Sequence, residues 1–185
     1  MGLLVLVGLP ARPSAASAAL LLNVGQLPPV TILHSTGVSS QLDQRTGLVI
    51  AGDLIADLRT RADALRRRDA AHASAGVSGA ALADVQTRIR SAQGLSISVP
   101  TYRFDRISLR LQPGAGQGPP TILATAAGVV AQAVYTSSLS TLERNTDPLP
   151  FTGAFELGQG GPGYVILGAS DVGLPATSRT VLVYS

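Results

Sequence analysis

The hydrophobic period of this chain turns helical from Asp53 and falls to two after Gly94, and that second change constrains the fold more than any other feature. From Asp53 onward, Leu54, Leu58, Ala62 and Leu65 share one helical face, with Asp53 placed as N-cap after Gly52. Leu82, Val85, Ile89 and Ala92 mark a second amphipathic helix beyond the small-residue break of residues 72–79, and Gly94 is placed to end it. After Gly94 the period falls to two. Ile107, Leu109 and Leu111 alternate with Arg106, Ser108 and Arg110, the pattern of a strand with one wet face, and Pro100 suggests a bend near its start.

Further strands follow. Residues 122–136 are β-branched and nearly uncharged, as in a central strand buried on both faces. Phe151, Phe155 and Leu157 alternate with Thr152 and Glu156, glycines turn the chain over 158–163, and Tyr164–Gly168 returns. Arg179–Tyr184 reads as a fifth strand, and Val30–Ser35 as a short one before the helices. Gly47–Ala51 fits either a strand or the start of the first helix. Helices first and consecutive strands after them give an α+β class, with two N-terminal amphipathic helices packed on a curved antiparallel sheet of four to five strands.

The amino terminus has its own character. Met1–Leu9 is apolar and closed by Pro10, and small residues follow with Ala16-Ser17-Ala18 as an A-x-A site. Nine helical residues rise only about 14 Å, too little to span a bilayer, so the segment resembles the end of a signal peptide that lacks its basic start. The expected organisation is a signal-peptide remnant over 1–18, a leader with short strands over 19–52, an α+β domain over 53–169 and a strand or linker over 170–185. Ser178–Ser185 reads as a strand entering something further, so a longer parent protein fits. These features point to an extracytoplasmic location, secreted or membrane-associated.

Composition narrows the chemistry. The 185 residues include no cysteine, which excludes disulfides, thiolate metal sites and a cysteine nucleophile. All 14 basic residues are arginine against 11 acids, so the net charge is only +3. The pI near 9.9 follows from arginine's high pKa rather than from a large charge excess. Arginine in place of every lysine, with abundant Ala, Gly, Pro and Val, is what GC-rich bacterial coding gives. With four Tyr, three Phe and no Trp, stacking partners for nucleic acid are scarce, and no nucleic-acid partner is expected.

The recognisable motifs fall away on context. Gly158-x-Gly160-x-x-Gly163 matches a dinucleotide fingerprint in spacing, but a strand follows where a helix is required, so a hairpin turn is the better reading. His34 and His72 have no metal-ligand spacing, and no G-x-S-x-G elbow is present. No metal or cofactor is expected. Glu143, Asp147 and Glu156 sit in or beside loops and read as solvated.

Two groups remain as candidates. Arg59, Arg61, Arg66, Arg67 and Arg68 form the densest charge cluster; of these, Arg59, Arg66, Arg67 and Arg68 are candidates for an anionic surface or a partner. A solvated helix face interleaved with Asp57, Asp63 and Asp69 is the stronger reading. The strand aromatics Tyr102, Phe104, Tyr135, Phe151 and Phe155 are candidates for core or pocket.

The phrases Ala62–Ala71, Ser98-Val-Pro-Thr-Tyr102, Phe151–Leu157 and Gly163–Leu167 together resemble the nuclear-transport-factor-like α+β cone, the superfamily that includes ketosteroid isomerase and scytalone dehydratase. The likeness covers roughly residues 53–169 and is closest to extracytoplasmic domains of GC-rich bacterial envelope proteins. Family enzymes carry an Asp or His inside the cone. Here Asp105 is the sole acid in the first long strand, and its parity with Ile107 would turn it inward; Tyr102 or Tyr135 would be its only nearby donors. The other inward positions are apolar or small. The resemblance therefore implies a non-catalytic binding or accessory module of the envelope, with an envelope protein or a lipid as partner. The alternatives are an isomerase or dehydratase with Asp105 as base, and a lipid-carrying envelope module.

Overall fold

The computed structural model describes residues 26–38, 40–114, 118–137, 141–160 and 163–171. The signal-peptide-like segment and the C-terminal strand at 179–184 lie outside the described residues.

Strand β1 (Val30–Ile32) is followed by helices α1 (Gln44–Arg67), α2 (Ala70–Ala73) and α3 (Gly79–Ser91). Five strands complete the order: β2 (Ile97–Gln112), β3 (Thr121–Tyr135), β4 (Leu142–Asn145), β5 (Leu149–Gly160) and β6 (Gly163–Asp171). The class is α+β, as expected. The described part has three helices, one of them a single turn, and six strands in a mixed sheet ordered β1-β2-β3-β5-β6, with β4 also on β3.

The sheet is mixed because of where the chain enters it. β1 runs parallel to β2, with Val30 opposite Ile107 and Ile32 opposite Leu109. Parallel neighbours need a crossover, and α1 to α3 supply it. The remaining pairs are antiparallel. β4 and β5 lie on the same side of β3, the first opposite Ala133–Tyr135 and the second opposite Ile122–Val130. Between them Thr146 holds both backbone groups of Gln132: its N–H donates to Gln132 O and its hydroxyl accepts from Gln132 N, each at 2.9 Å. The short edge strand β4 is polar and exposed, so no hydrophobic pattern announces it.

Helix α1 begins ten residues before the start that an Asp53 cap would give. Its cap is Asp43, whose carboxylate accepts from Thr46 N at 2.9 Å and Thr46 Oγ at 2.7 Å. Those bonds hold the Asp43 carboxyl below its usual range, the backbone bond first. The helix runs through Gly47 and Gly52, and Asp53 lies inside it, accepting from Tyr164 N at 3.1 Å. α3 ends as expected: its C-cap is Ala92, and Gly94 follows with φ of +74°.

β2 continues through Pro100 without a break. That half of β2 lies beyond the reach of β1, so a missing N–H costs no ladder bond on that side. The irregularity lies instead between Phe104 and Arg106, where Asp105 is the extra residue of a β-bulge. Opposite it, a Cβ on Gly128 would fall 2.0 Å from Arg103 O, so only glycine fits. The bulge resets the alternation. Tyr102 and Phe104 are buried before it, and Ile107 and Leu109 after it.

The core lies between α1, α3 and one sheet face. Ile50, Leu54 and Leu65 of α1 and Val85 of α3 meet Ile107, Leu109, Ile122, Phe155, Leu157 and Ile166, all essentially inaccessible. Each such aliphatic side chain contributes about 1.5–3 kcal/mol by leaving water. No helix of the described residues is long and apolar enough to cross a membrane.

Candidate ligand pocket

Small side chains leave a space between α3 and the sheet. Ala80 and Ala81 form the helix wall and Gly168 and Ala169 of β6 face them, so a cavity of about 410 Å³ stays open. Its size falls in the range of small-molecule sites, roughly 300–1,000 Å³. The floor is the sheet: Pro100, Tyr102, Val130 and Phe151. Tyr102 meets Phe151 edge-on at 5.0 Å between centroids and stacks on Phe104 at 5.6 Å. Phe155 sits 6.2 Å from Phe104 and 6.3 Å from Phe151. Such a cluster is stabilising and rigid, so the floor has a fixed shape.

The polar end is built from four elements. Arg61 of α1 is 9% exposed, and its Nη2 lies 2.7 Å from Asp84 Oδ2 of α3. Arg88, one turn after Asp84, donates from Nη2 to Ser98 O at 2.9 Å. Ser98 in turn donates from its hydroxyl to Gln132 Oε1 at 2.9 Å, and Gln132 also lines the cavity. These bonds hold Arg61, Arg88 and Gln132 in place before any ligand arrives.

The expected site residues divide. Tyr102 and Phe151 line the cavity, whereas Phe104 and Phe155 are buried beside them in the aromatic cluster. Tyr135 packs at the end of β3, away from the cavity lining. Asp105 does not point inward. The bulge breaks its parity with Ile107, and its side chain is 62% exposed and 3.8 Å from Arg103.

The arginine cluster is not one surface. Arg59 is exposed on α1, while Arg66 and Arg67 both bind Asp63, the second at 2.7 Å. The Arg66 hydrogen bond, with help from Arg67, holds the Asp63 carboxyl below its usual range. Arg68 is the C-cap of α1 in the left-handed region, φ of 58°, and it donates to Ala92 O, Leu95 O and Thr136 O at 2.7, 2.8 and 3.1 Å. Arg61 is buried rather than solvated. Its place was legible: Leu54, Leu58, Arg61 and Leu65 follow 4-3-4 spacing, so Arg61 interrupts an apolar stripe. Asp84, Arg88 and Gln132 carry no comparable mark.

Among the described residues, no group of three or more His, Asp or Glu is placed to hold a metal ion. The glycine fingerprint is a hairpin, with Gly160 of β5 paired to Gly163 of β6.

No protein-family model matches this chain, and no curated protein matches it. Among solved structures it is similar to the intermembrane space region of the chloroplast protein ARC6, with a TM-score of 0.47 and 16% identity, over 72% of this chain and 98% of that one. That likeness is partial, and neither a shared family nor a shared function follows from it.

Proposed function

We propose that this chain is a non-catalytic binding module of the cell envelope, exported or membrane-associated, that holds a small amphipathic ligand between α3 and the sheet. The pocket carries this reading: a rigid aromatic floor meets a polar end whose side chains are positioned by their own hydrogen bonds. The carboxylate in its wall, Asp84, is engaged by the Arg61 guanidinium instead of facing a proton to be moved. Asp105, the base of the enzymatic alternative, is exposed and outside the pocket lining. The envelope location rests on the Met1–Leu9 run and the Ala16-Ser17-Ala18 site. The cone-type likeness belongs to the same reading and rests on the sequence phrases alone; the structure adds an α+β class with a pocket between α3 and the sheet.

The test is a two-dimensional NMR titration with small neutral amphiphiles such as decanol. Shifts are expected at Tyr102, Phe151 and α3, and Ala169→Leu, which fills the cavity from an exposed position, is expected to remove them without unfolding the protein. Shifts that persist in a folded Ala169→Leu variant, or that map elsewhere, would sink the proposal.

A further inference from the structure

The Arg61–Asp84 pair is asymmetric. The Arg61 side chain is 11% exposed and the Asp84 side chain 50%, across one 2.7 Å contact. Arg61 rises from the last third of α1, on the stripe that also buries Leu54, Leu58 and Leu65, so the fold fixes the cation. Asp84 lies on the outer part of α3 and half in water, so the anion can turn away at small cost. A buried guanidinium whose ion-pair partner is half-solvated is a place where a second carboxylate can compete.

The rest of the wall favours the same charge. The lining holds the guanidiniums of Arg61 and Arg88 against the single carboxylate of Asp84. A cationic ligand would meet two like charges at the end where its head must sit. A wholly neutral ligand would leave the desolvated Arg61 with the partner it already has. An apolar body suits the Tyr102–Phe151 floor, and a planar carboxylate suits a guanidinium fork better than any other singly charged head.

The geometry points to a small monocarboxylate amphiphile as the ligand of this pocket, its carboxylate replacing Asp84 on Arg61 and its apolar body lying on Tyr102 and Phe151. This rests on the pocket reading above and adds the ligand's charge to it. Asp84 then acts as an internal stand-in that keeps Arg61 paired while the pocket is empty. Removing its charge strengthens binding of the anion, an effect that a purely structural ion pair would not give.

The experiment is isothermal titration of the full chain with decanoate, decanol and decyltrimethylammonium. Decanoate is expected to bind at least about tenfold more tightly than decanol and to weaken as salt is added, with the cation weakest. Asp84→Asn is expected to tighten decanoate by about three- to tenfold and to leave decanol unchanged. Arg61→Gln is expected to bring decanoate down to the level of decanol. Equal binding of decanoate and decanol overturns the inference and leaves the pocket reading intact; no binding of any probe overturns both. Weaker decanoate binding in Asp84→Asn also overturns it, and that exposed position decides the matter if Arg61→Gln does not fold.

Discussion

Gly76 lies against Asp57 so closely that a Cβ added to Gly76 would sit 2.9 Å from both Asp57 Cα and Asp57 Oδ1. The loop before α3 cannot retreat, because Gly76 N donates to Ala73 O at 3.0 Å and Gly76 O accepts from Ile166 N at 3.1 Å. The neighbouring Val77 bridges to Ile166 as well, so this loop is tied to β6 while it packs on α1. Gly76→Ala is expected to destabilise the protein by about 1–3 kcal/mol, the usual cost of overpacking a site that cannot shift. Urea unfolding of the two proteins measures it.

The same contact removes Asp57 from water. The residue is 8% exposed, and its Oδ2 has no hydrogen-bond partner. Burial first, and the charge of Asp53 one turn earlier second, push its pKa up to about 7. An unfolded aspartate ionises near about 4, so between about 4 and 7 the folded chain holds a proton that the unfolded chain has released. Stability is therefore expected to fall as pH rises through that window and to level off above it. Asp57→Asn, neutral at every pH, is expected to flatten this dependence and to raise stability by about 2 kcal/mol at about pH 8. A wild-type protein as stable at about pH 8 as at about pH 5 would contradict the assignment.

What the sequence disclosed follows from which patterns are local. The stripe of Leu54, Leu58 and Leu65 and the alternation of Ile107, Leu109 and Leu111 are each set by one element, and both are found where expected. The start of α1 is only half legible: Gly47–Ala51 fits a strand as well as the helix, and Asp53 after Gly52 reads as a cap, whereas packing carries one helix through both glycines from Gln44. β4 was hidden because an exposed four-residue edge needs no apolar residues. The pocket was half legible: Tyr102 and Phe151 stood out as strand aromatics, but Asp84 and Arg88 acquire meaning only once α3 is laid over the sheet.

Arg68 shows how a conspicuous charge can be structural. It ends α1 with φ of 58° and ties that end to three carbonyls, of Ala92, Leu95 and Thr136. Arg68→Ala is expected to cost about 2–3 kcal/mol, since charge-assisted bonds to carbonyls are lost while the left-handed backbone remains. Arg68→Gly is expected to be milder by about 1 kcal/mol, because glycine adopts that conformation freely. Arg67→Ala, at a side chain 57% exposed and paired with Asp63, is expected to cost under about 1 kcal/mol. Thermal denaturation of the three variants orders them.

The bulge in β2 separates the two fates of the first long strand. Asp105 has no partner of its own in the ladder, since Phe104 pairs with Gly128 and Arg106 with Ala127. Its exposed carboxylate is 3.8 Å from the exposed Arg103, an arrangement worth little in water. Asp105→Asn is therefore expected to change stability by less than about 0.5 kcal/mol and to leave ligand binding in the pocket unaltered. Gly128→Ala, across the ladder, puts a methyl group 2.0 Å from Arg103 O and is expected to cost about 3 kcal/mol or more, because the obstacle is backbone. If Asp105→Asn abolished binding or a turnover while Gly128→Ala left stability intact, the strand would have to run in the other register, with Asp105 facing the pocket that the bulge now turns it away from.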